Sequence, residues 1–377
     1  MKHSKNRVLQ IGAENFGKGG RSIIAQNLVK YMKKKYIVDF IAYSEYTESE
    51  VTKEIEKRGE IYKFTKAKGL STINLIRKKK YDIVHIHADH SYEAMKSVIR
   101  SKFGGAKNIV VHAHTSGKKN YNILKKLVIE ICKFFLPYFC SEMIACTSEA
   151  AIYMFGKKKK DKVRILKDGI LVENYLYNTE KRQEIRNKLN IDEEDVVLGN
   201  VGRLSKEKNQ IFLIKVLNYV LKKNNNFKLI IVGDGEEKNF LEGIVNSLNL
   251  EKKVKLLGNR NDVADILQAV DIFMFPSKYE GFGMAALEAQ AAGLPTIISH
   301  TIPKDVKVTD LCYQCREDWS ISEWIQIIKN VLPHLKNRQS NAKKAVEEIM
   351  NNGYNIRKSS EELELIYGGL LDEIDVR

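Results

Sequence analysis

Residues 271–299 read "DIFMFPSKYEGFGMAALEAQAAGLPTIIS", and their succession of apolar run, loop, helix and apolar run decides the fold. "DIFMFPS" (271–277) and "PTIIS" (295–299) have the composition of short buried strands. Between them, alanine and leucine from Ala285 onward favour helix while Gly281 and Gly283 do not, so a helix is expected to open near Phe282. Gly293 suits a left-handed cap and Pro295 prevents continuation. Glu280 then sits in the loop before the helix and Glu288 about two turns inside it. At about 1.5 Å rise per residue the two lie on the order of 10 Å apart. That gap suits one medium-sized polar ligand, not a metal ion.

The same rhythm extends outward. "VVLGNV" (196–201), "FKLIIVG" (227–233) and "KVKLLGN" (253–259) alternate with amphipathic stretches. In the first half "RVLQIG" (7–12), "YIVDFIA", "DIVHIHA" (82–88), "NIVVHAH" (108–114), "EMIACTS" (142–148) and "KVRILKDG" (162–169) read as strands. Strands alternating with crossover helices give an α/β chain with two doubly wound parallel sheets, expected to face each other across a cleft. The expected domains are 1–177 and 178–358, with the charged stretch 178–195 as linker. Ligands in such sheets bind beyond the carboxyl ends of the strands.

Composition narrows the class. At 377 residues the chain can form two domains of ordinary size, and 44% hydrophobic content with five prolines indicates a globular protein. No run of 18 apolar residues occurs, and "MKHSKNRVLQIGAEN" lacks a signal-peptide core, so cytosolic residence is expected. The five cysteines are too sparse for a disulfide framework, and "CYQC" (312–315) has no second Cys or His pair beside it for zinc. Residues 1–170 carry 35 lysines and arginines against 16 acids, while the remainder carries 28 against 31. All of the +16 net charge therefore lies in the first half. A soluble lysine-rich surface is the favoured reading, ahead of nucleic acid and an anionic membrane surface.

The strand ends of the second half collect polar chemistry. "GRLSKEKN" brings Arg203 and Lys208, "NRND" brings Asn259 and Arg260, and "KYEGFG" brings Glu280 before a glycine-flanked helix start. Cations and a helix N-terminus suit a phosphate or diphosphate, and glycines let backbone approach closely. Carboxylates suit sugar hydroxyls, to which they present only acceptors. A nucleotide-sugar has both kinds of group.

"EGFGMAALEAQAAGLP", with "GRLSKEKN" upstream and "VGDG" between, resembles glycosyltransferase family 4, the retaining sugar transferases with the GT-B fold of two Rossmann-like domains. The resemblance runs from about residue 8 to residue 300 and includes the E-x7-E spacing of Glu280 and Glu288. It implies that Arg203 and Lys208 hold the donor diphosphate. Glu280 and the backbone of Gly281, Phe282, Gly283 and Met284 would face the donor sugar and its phosphate, Glu288 the ribose, and Asn259 and Arg260 the base. "NFGKGG" (15–20) resembles the family's glycine-rich loop, placing Gly17, Gly19 and Gly20 near the diphosphate. His114 matches the histidine beside the reacting centre. The resemblance further implies a metal-independent transfer with no cofactor, a UDP-sugar donor ahead of GDP, and a final helix (359–377) returning to the first domain. Asp168-Gly169 stands where many relatives have Asn-Gly, and "HTIPKDVKVTD" (300–310) resembles the branch associated with capsular and exopolysaccharide assembly. A lipid-linked glycan acceptor and a place at the inner face of the plasma membrane follow from that branch.

Two features lie outside the motif. His85, His87, His112 and His114 sit at strand ends, and only one of each pair is expected to point toward a given side. "YNILKKLVIEICKFFLPYF" (121–139) is apolar at helical spacing, with Lys125, Lys126 and Lys133 elsewhere on the wheel. Packing on its own sheet is favoured over leaning on a membrane. Among other functions, a nucleotide-sugar epimerase of the same fold is disfavoured by the paired glutamates. A nucleic-acid binder lacks aromatic residues along a basic stripe.

Overall fold

A computed structural model of the chain describes residues 6–375 apart from 15, 17–19, 47, 116–121 and 317–319, with side chains as far as Asp372. It divides into two compact units, residues 1–169 with 353–377, and residues 170–352. In the first unit the strands are β1 (Asn6–Ile11), β2 (Tyr36–Ala42), β3 (Ile61–Lys63), β4 (Ile83–Ala88), β5 (Asn108–Ala113), β6 (Glu142–Ala145) and β7 (Arg164–Ile165). The helices between them are α1 (Gly20–Tyr31), α2 (Glu50–Glu56), α3 (Lys68–Lys79), α4 (Ser91–Phe103), α5 (Ile123–Phe135) and α6 (Ser148–Phe155). The sheet order is β3-β2-β1-β4-β5-β6-β7, with every pair parallel.

The second unit contains α7 (Thr179–Lys188), β8 (Val196–Val201), α8 (Gln210–Leu221), β9 (Phe227–Val232), α9 (Lys238–Ser247), β10 (Val254–Leu256), α10 (Val263–Ala269), β11 (Ile272–Phe275), α11 (Met284–Ala291), β12 (Thr296–Ile298), β13 (Cys312–Gln314), α12 (Ile321–Val331) and α13 (Arg338–Asn351). Its parallel sheet runs β10-β9-β8-β11-β12-β13. The last helix, α14 (Ile356–Asp375), packs on α1 in the first unit. No helix among the described residues is long and apolar enough to cross a membrane.

Helices cover both faces of each sheet, so central strands such as "IFMF" (β11) are buried at every position. In the first unit Leu9, Ile11, Val84, Ile86, Val111 and Ala113 share one face and build the aliphatic core with α4 and α6 residues such as Val98 and Met154. The other face carries the neighbouring residues, among them Gln10, His85, His87 and His112.

Three expectations are corrected. The charged stretch 178–195 is no free linker: residues 179–188 form α7, capped by the Asn178 side chain, which accepts from the Lys181 N–H at 2.8 Å. Arg182 and Arg186 then anchor α7 to Asp271 at 2.6 and 3.2 Å. "KVRILKDG" gives only the two-residue β7, because it pairs at the sheet edge with just Ile144 and Ala145. The third concerns α5, which does not bury its apolar stripe on the sheet. Ile129 is its one fully buried residue, and Leu124, Leu127, Val128, Ile131, Phe134 and Phe135 are exposed.

Arg338 of α13 locks the second unit from the far side of α10. Its guanidinium donates to the carbonyls of Leu267, Gln268, Val270 and Ala292 at 2.6 to 3.1 Å and lies under the Tyr177 ring. Burial, with Arg182 close by, holds its pKa down to about 9. An Arg338→Met substitution strands these acceptors in the interior, at an expected cost of about 3 kcal/mol or more. Urea unfolding measures it, and a loss below about 1 kcal/mol would overturn the role of Arg338.

Candidate active site

In the second sheet the strand order reverses between β8 and β11, so the connections leaving these neighbours diverge and open a crevice at their carboxyl ends. The loops following both strands meet there. Lys278 N–H donates to the Glu207 carbonyl at 2.8 Å, and the Glu207 carboxyl is held low by its own backbone N–H, then by Ser205 and Tyr279. Lys208 and Glu280 form an ion pair across the same junction, with side chains only 23% and 12% exposed. The Lys208 ammonium also lies 5.7 Å from the centre of the Phe275 ring. Arg203 is exposed two residues beyond β8.

Gly283 caps α11 in a left-handed conformation (φ 109°), so the helix opens at Met284, two residues later than the sequence suggested. A side chain there would be strained and would press on the Phe275 ring. The first-turn N–H groups of a helix have no intrahelical partner and its dipole favours anions. Phe282, in the loop before the helix, is buried. Gly293 adopts the expected left-handed conformation (φ 71°) after the helix.

Glu288 lies in the second turn of α11. Burial raises its carboxyl to a pKa of about 7, against a hydrogen bond from Tyr175 that favours ionisation. Tyr175 escaped the sequence reading, since nothing in "ENYLY" marks one tyrosine as a partner. Asn259 and Arg260 are exposed after β10, an edge strand, and Arg260 grips Asp262 of its own loop at 2.8 and 2.6 Å. The loops after β8, β9 and β10 are joined by Leu204 N–H to Asp234 O (3.0 Å) and Gly233 N–H to Gly258 O (2.8 Å). The structure thus gathers Arg203, Lys208, Glu280 and residues 281–284 at the crevice, with Asn259 and Arg260 toward the sheet edge.

In the first unit the reversal falls between β1 and β4. Gly12 follows β1 there with φ 86°, so close to β4 that a Cβ would stand 2.1 Å from the His87 carbonyl oxygen. Gly20 opens α1, while Gly17 and Gly19 lie outside the described residues.

The histidine pairs do not divide between faces. Residues two apart on a strand share a face, and His87 pairs in register with His112. All four imidazoles therefore stack together, with neighbouring centroids 4.1 to 5.4 Å apart. His114 Nε2 meets His87 Nδ1 at 2.8 Å, and His87 Nε2 meets Gln10 Oε1 at 2.7 Å. Gln10 Nε2 donates to the Tyr367 hydroxyl at 3.2 Å, which lies 2.6 Å from His85 Nδ1. The amide fixes the direction of the whole chain. Its oxygen accepts from His87 Nε2–H, so His87 Nδ1 accepts from His114 Nε2–H, while Tyr367 donates to His85. Gln10 and Tyr367 were not foreseen, because only the folded register brings them to the histidines.

Two sets, His85–His87–His112 and His112–His114–Asp168, bring donor atoms within 4.8 Å of one another. Within the first set His87 already spends both ring nitrogens on His114 and Gln10, and the four imidazoles form one packed layer in the interior. Burial lowers all four pKa values, that of His112 to about 3, and raises the Asp168 carboxyl to about 7. Cys312 and Cys315 are buried thiols with pKa values pushed up to about 12.

Residues 181–308 match the family described as "Glycosyl transferases group 1". The chain is a glycosyltransferase, and its residues 181–308 carry the group 1 match. It is 25% identical to the capsular polysaccharide biosynthesis glycosyltransferase CapH of Staphylococcus aureus, over 93% of this chain and 95% of that one. It is 30% identical, over 61% of each chain, to an Escherichia coli UDP-Gal:α-D-GlcNAc-diphosphoundecaprenol α-1,3-galactosyltransferase. The crystal structure of HepE from Anabaena, in complex with UDP and glucose, superposes with a TM-score of 0.78 at 17% identity, covering 97% of this chain and all of the other. The fold of this glycosyltransferase is therefore GT-B.

His112 finds no hydrogen-bond partner for either ring nitrogen among the described residues. The unfolded state takes up a proton near pH 6.5 that the folded state refuses until about pH 3, so stability falls as pH drops below 6.5. His112→Phe removes that penalty. Its stabilising effect should be larger at pH 5.5 than at pH 7.5 by about 1.4 kcal/mol, read from denaturant curves at both values. An equal effect at both would overturn the assignment of a neutral, buried His112.

Proposed function

We propose that this glycosyltransferase moves a sugar, with retention and without a divalent metal, from a UDP-sugar to a lipid-linked glycan in capsule or exopolysaccharide assembly. The observation that carries the reading is the junction at β8 and β11, where Arg203, Lys208, Glu280 and the glycine-capped start of α11 meet. Breaking the anomeric bond leaves negative charge on the nucleotide diphosphate. Arg203, Lys208 and the α11 dipole are the groups suited to stabilise it, taking the part a metal ion would otherwise play. Glu280 then orients sugar hydroxyls, and Glu288 accepts from the ribose in exchange for Tyr175. The acceptor hydroxyl attacks the anomeric carbon from the face the diphosphate leaves, and its proton passes to the departing phosphate oxygen. His114, the glycine-rich loop with Gly20, and the exposed Asn259 and Arg260 complete the proposed contacts. The UDP and lipid-diphosphate choice is supported by the name of the Escherichia coli relative, and the polysaccharide setting by that of CapH. In the proposed setting the enzyme works at the cytoplasmic face of the membrane.

UDP at about 100 times its dissociation constant should stabilise the protein by roughly 2.7 kcal/mol, unchanged by EDTA, with GDP, ADP and CMP doing less. A shift abolished by EDTA would sink the metal-free reading, and no shift with any nucleotide would remove the donor site. Arg203→Ala should lower turnover on the order of 100-fold while the fold is kept. Near-normal turnover in a coupled UDP-release assay would reject its role toward the leaving group.

A further inference from the structure

The outward face of α5 has no use in the site described above. Ile123, Leu124, Leu127, Val128, Ile131, Phe134 and Phe135 are all exposed, three of them at 85%, 75% and 65% (Ile123, Leu124 and Phe134), and Tyr138 and Phe139 continue the patch. At 100° per residue the stripe spans an arc of about 140°, while Ile129, which holds the helix to the protein, points to the opposite side. The Ser91 hydroxyl fixes the inner side by donating to the Ile129 carbonyl at 2.7 Å.

Positive charge frames this stripe. Lys125 and Lys126 are exposed on α5 itself. The turn Gly156–Lys162 lies alongside, with Lys159 over the Tyr138 ring at 4.6 Å and Gly156 against the Lys133 side chain. That turn adds the exposed Lys157, Lys158, Lys160 and Lys162. Glu130, an acid within α5, is paired with Lys133 at 2.5 Å.

We propose that the α5 stripe and its lysine frame are a docking surface for an anionic lipid bilayer. Thirteen residues span about 20 Å, too short to cross a bilayer, so the helix lies in the plane of the interface with its stripe among the acyl chains. The aromatic end, Phe134 to Phe139, sits at headgroup depth, and the lysines meet the lipid phosphates. A second copy of this chain fits less well, because it would set one lysine frame against another. The docking rests on the proposed function only for its use, which is to bring the chain to a lipid-linked acceptor.

The test is flotation of the full chain with phosphatidylcholine vesicles, with and without phosphatidylglycerol. Binding to the anionic vesicles should be at least about tenfold tighter and should weaken with salt. The variants Leu124→Gln/Leu127→Gln/Ile131→Gln and Lys157→Glu/Lys158→Glu/Lys160→Glu alter exposed side chains and should each lose binding while keeping the wild-type melting temperature. Absence of wild-type binding, or variants that bind like the wild type, overturns the proposal. So does concentration-dependent dimerisation abolished by the glutamine variant, which would make the face a contact between copies. UDP stabilisation measured on the same samples bears on the donor reading alone, so either reading can fail while the other stands.

Discussion

The reversal of strand order between β8 and β11 is the constraint on which the second unit's site depends. Parallel strands need crossover helices, and the point where the crossovers change direction is where two loops leave neighbouring strand ends without covering each other. Every polar group at the crevice is positioned by that geometry. Arg203 and Lys208 follow one strand and Glu280 follows the other, 72 positions beyond Lys208 in the chain. Gly283 then has to turn through a left-handed conformation for α11 to start at the crevice.

Electrostatics at the crevice are balanced before any ligand arrives. Lys208 and Glu280 neutralise one another in a mostly enclosed position, which spares each the desolvation cost of standing alone. Under the proposed transfer an arriving diphosphate, with more negative charge than one carboxylate, would compete for Lys208 and in doing so release Glu280 for hydroxyl groups. Glu288 has a comparable standby partner in Tyr175, without which its buried carboxyl would be driven further toward the neutral form. Under the proposed transfer these exchanges let binding replace one set of charged hydrogen bonds with another of similar number.

Much of this was legible in the sequence because it depends on short-range chemistry. The central strands, the stop at Gly293 and the grouping of "GRLSKEKN" with "KYEGFG" follow from composition and from the rule that parallel sheets bind at strand ends. What was not legible depends on register or on distant partners. Three-residue strands such as β3 and β13 are too short to show a period, and they form because a neighbouring edge is available. Arg338 reads as an ordinary helix-surface residue until α13 lies against the end of α10. The α5 stripe looked like core because helical spacing reports amphipathicity without saying which side faces the protein.

The histidine layer shows what register alone can do to chemistry. Four imidazoles spread over exposed loops would titrate near neutral pH, but stacked on one face under Tyr367 they are held neutral. The chain through Gln10 commits the Nε2 proton of His114 to His87, so His114 is neither a cation nor a ready acid. Its depressed pKa also makes it a weak base at neutral pH. Under the proposed transfer, then, the acceptor's proton has a better destination in the departing diphosphate, whose new charge makes it the stronger acceptor as the anomeric bond breaks. Register alone thus gives the first unit an imidazole of fixed tautomer and orientation.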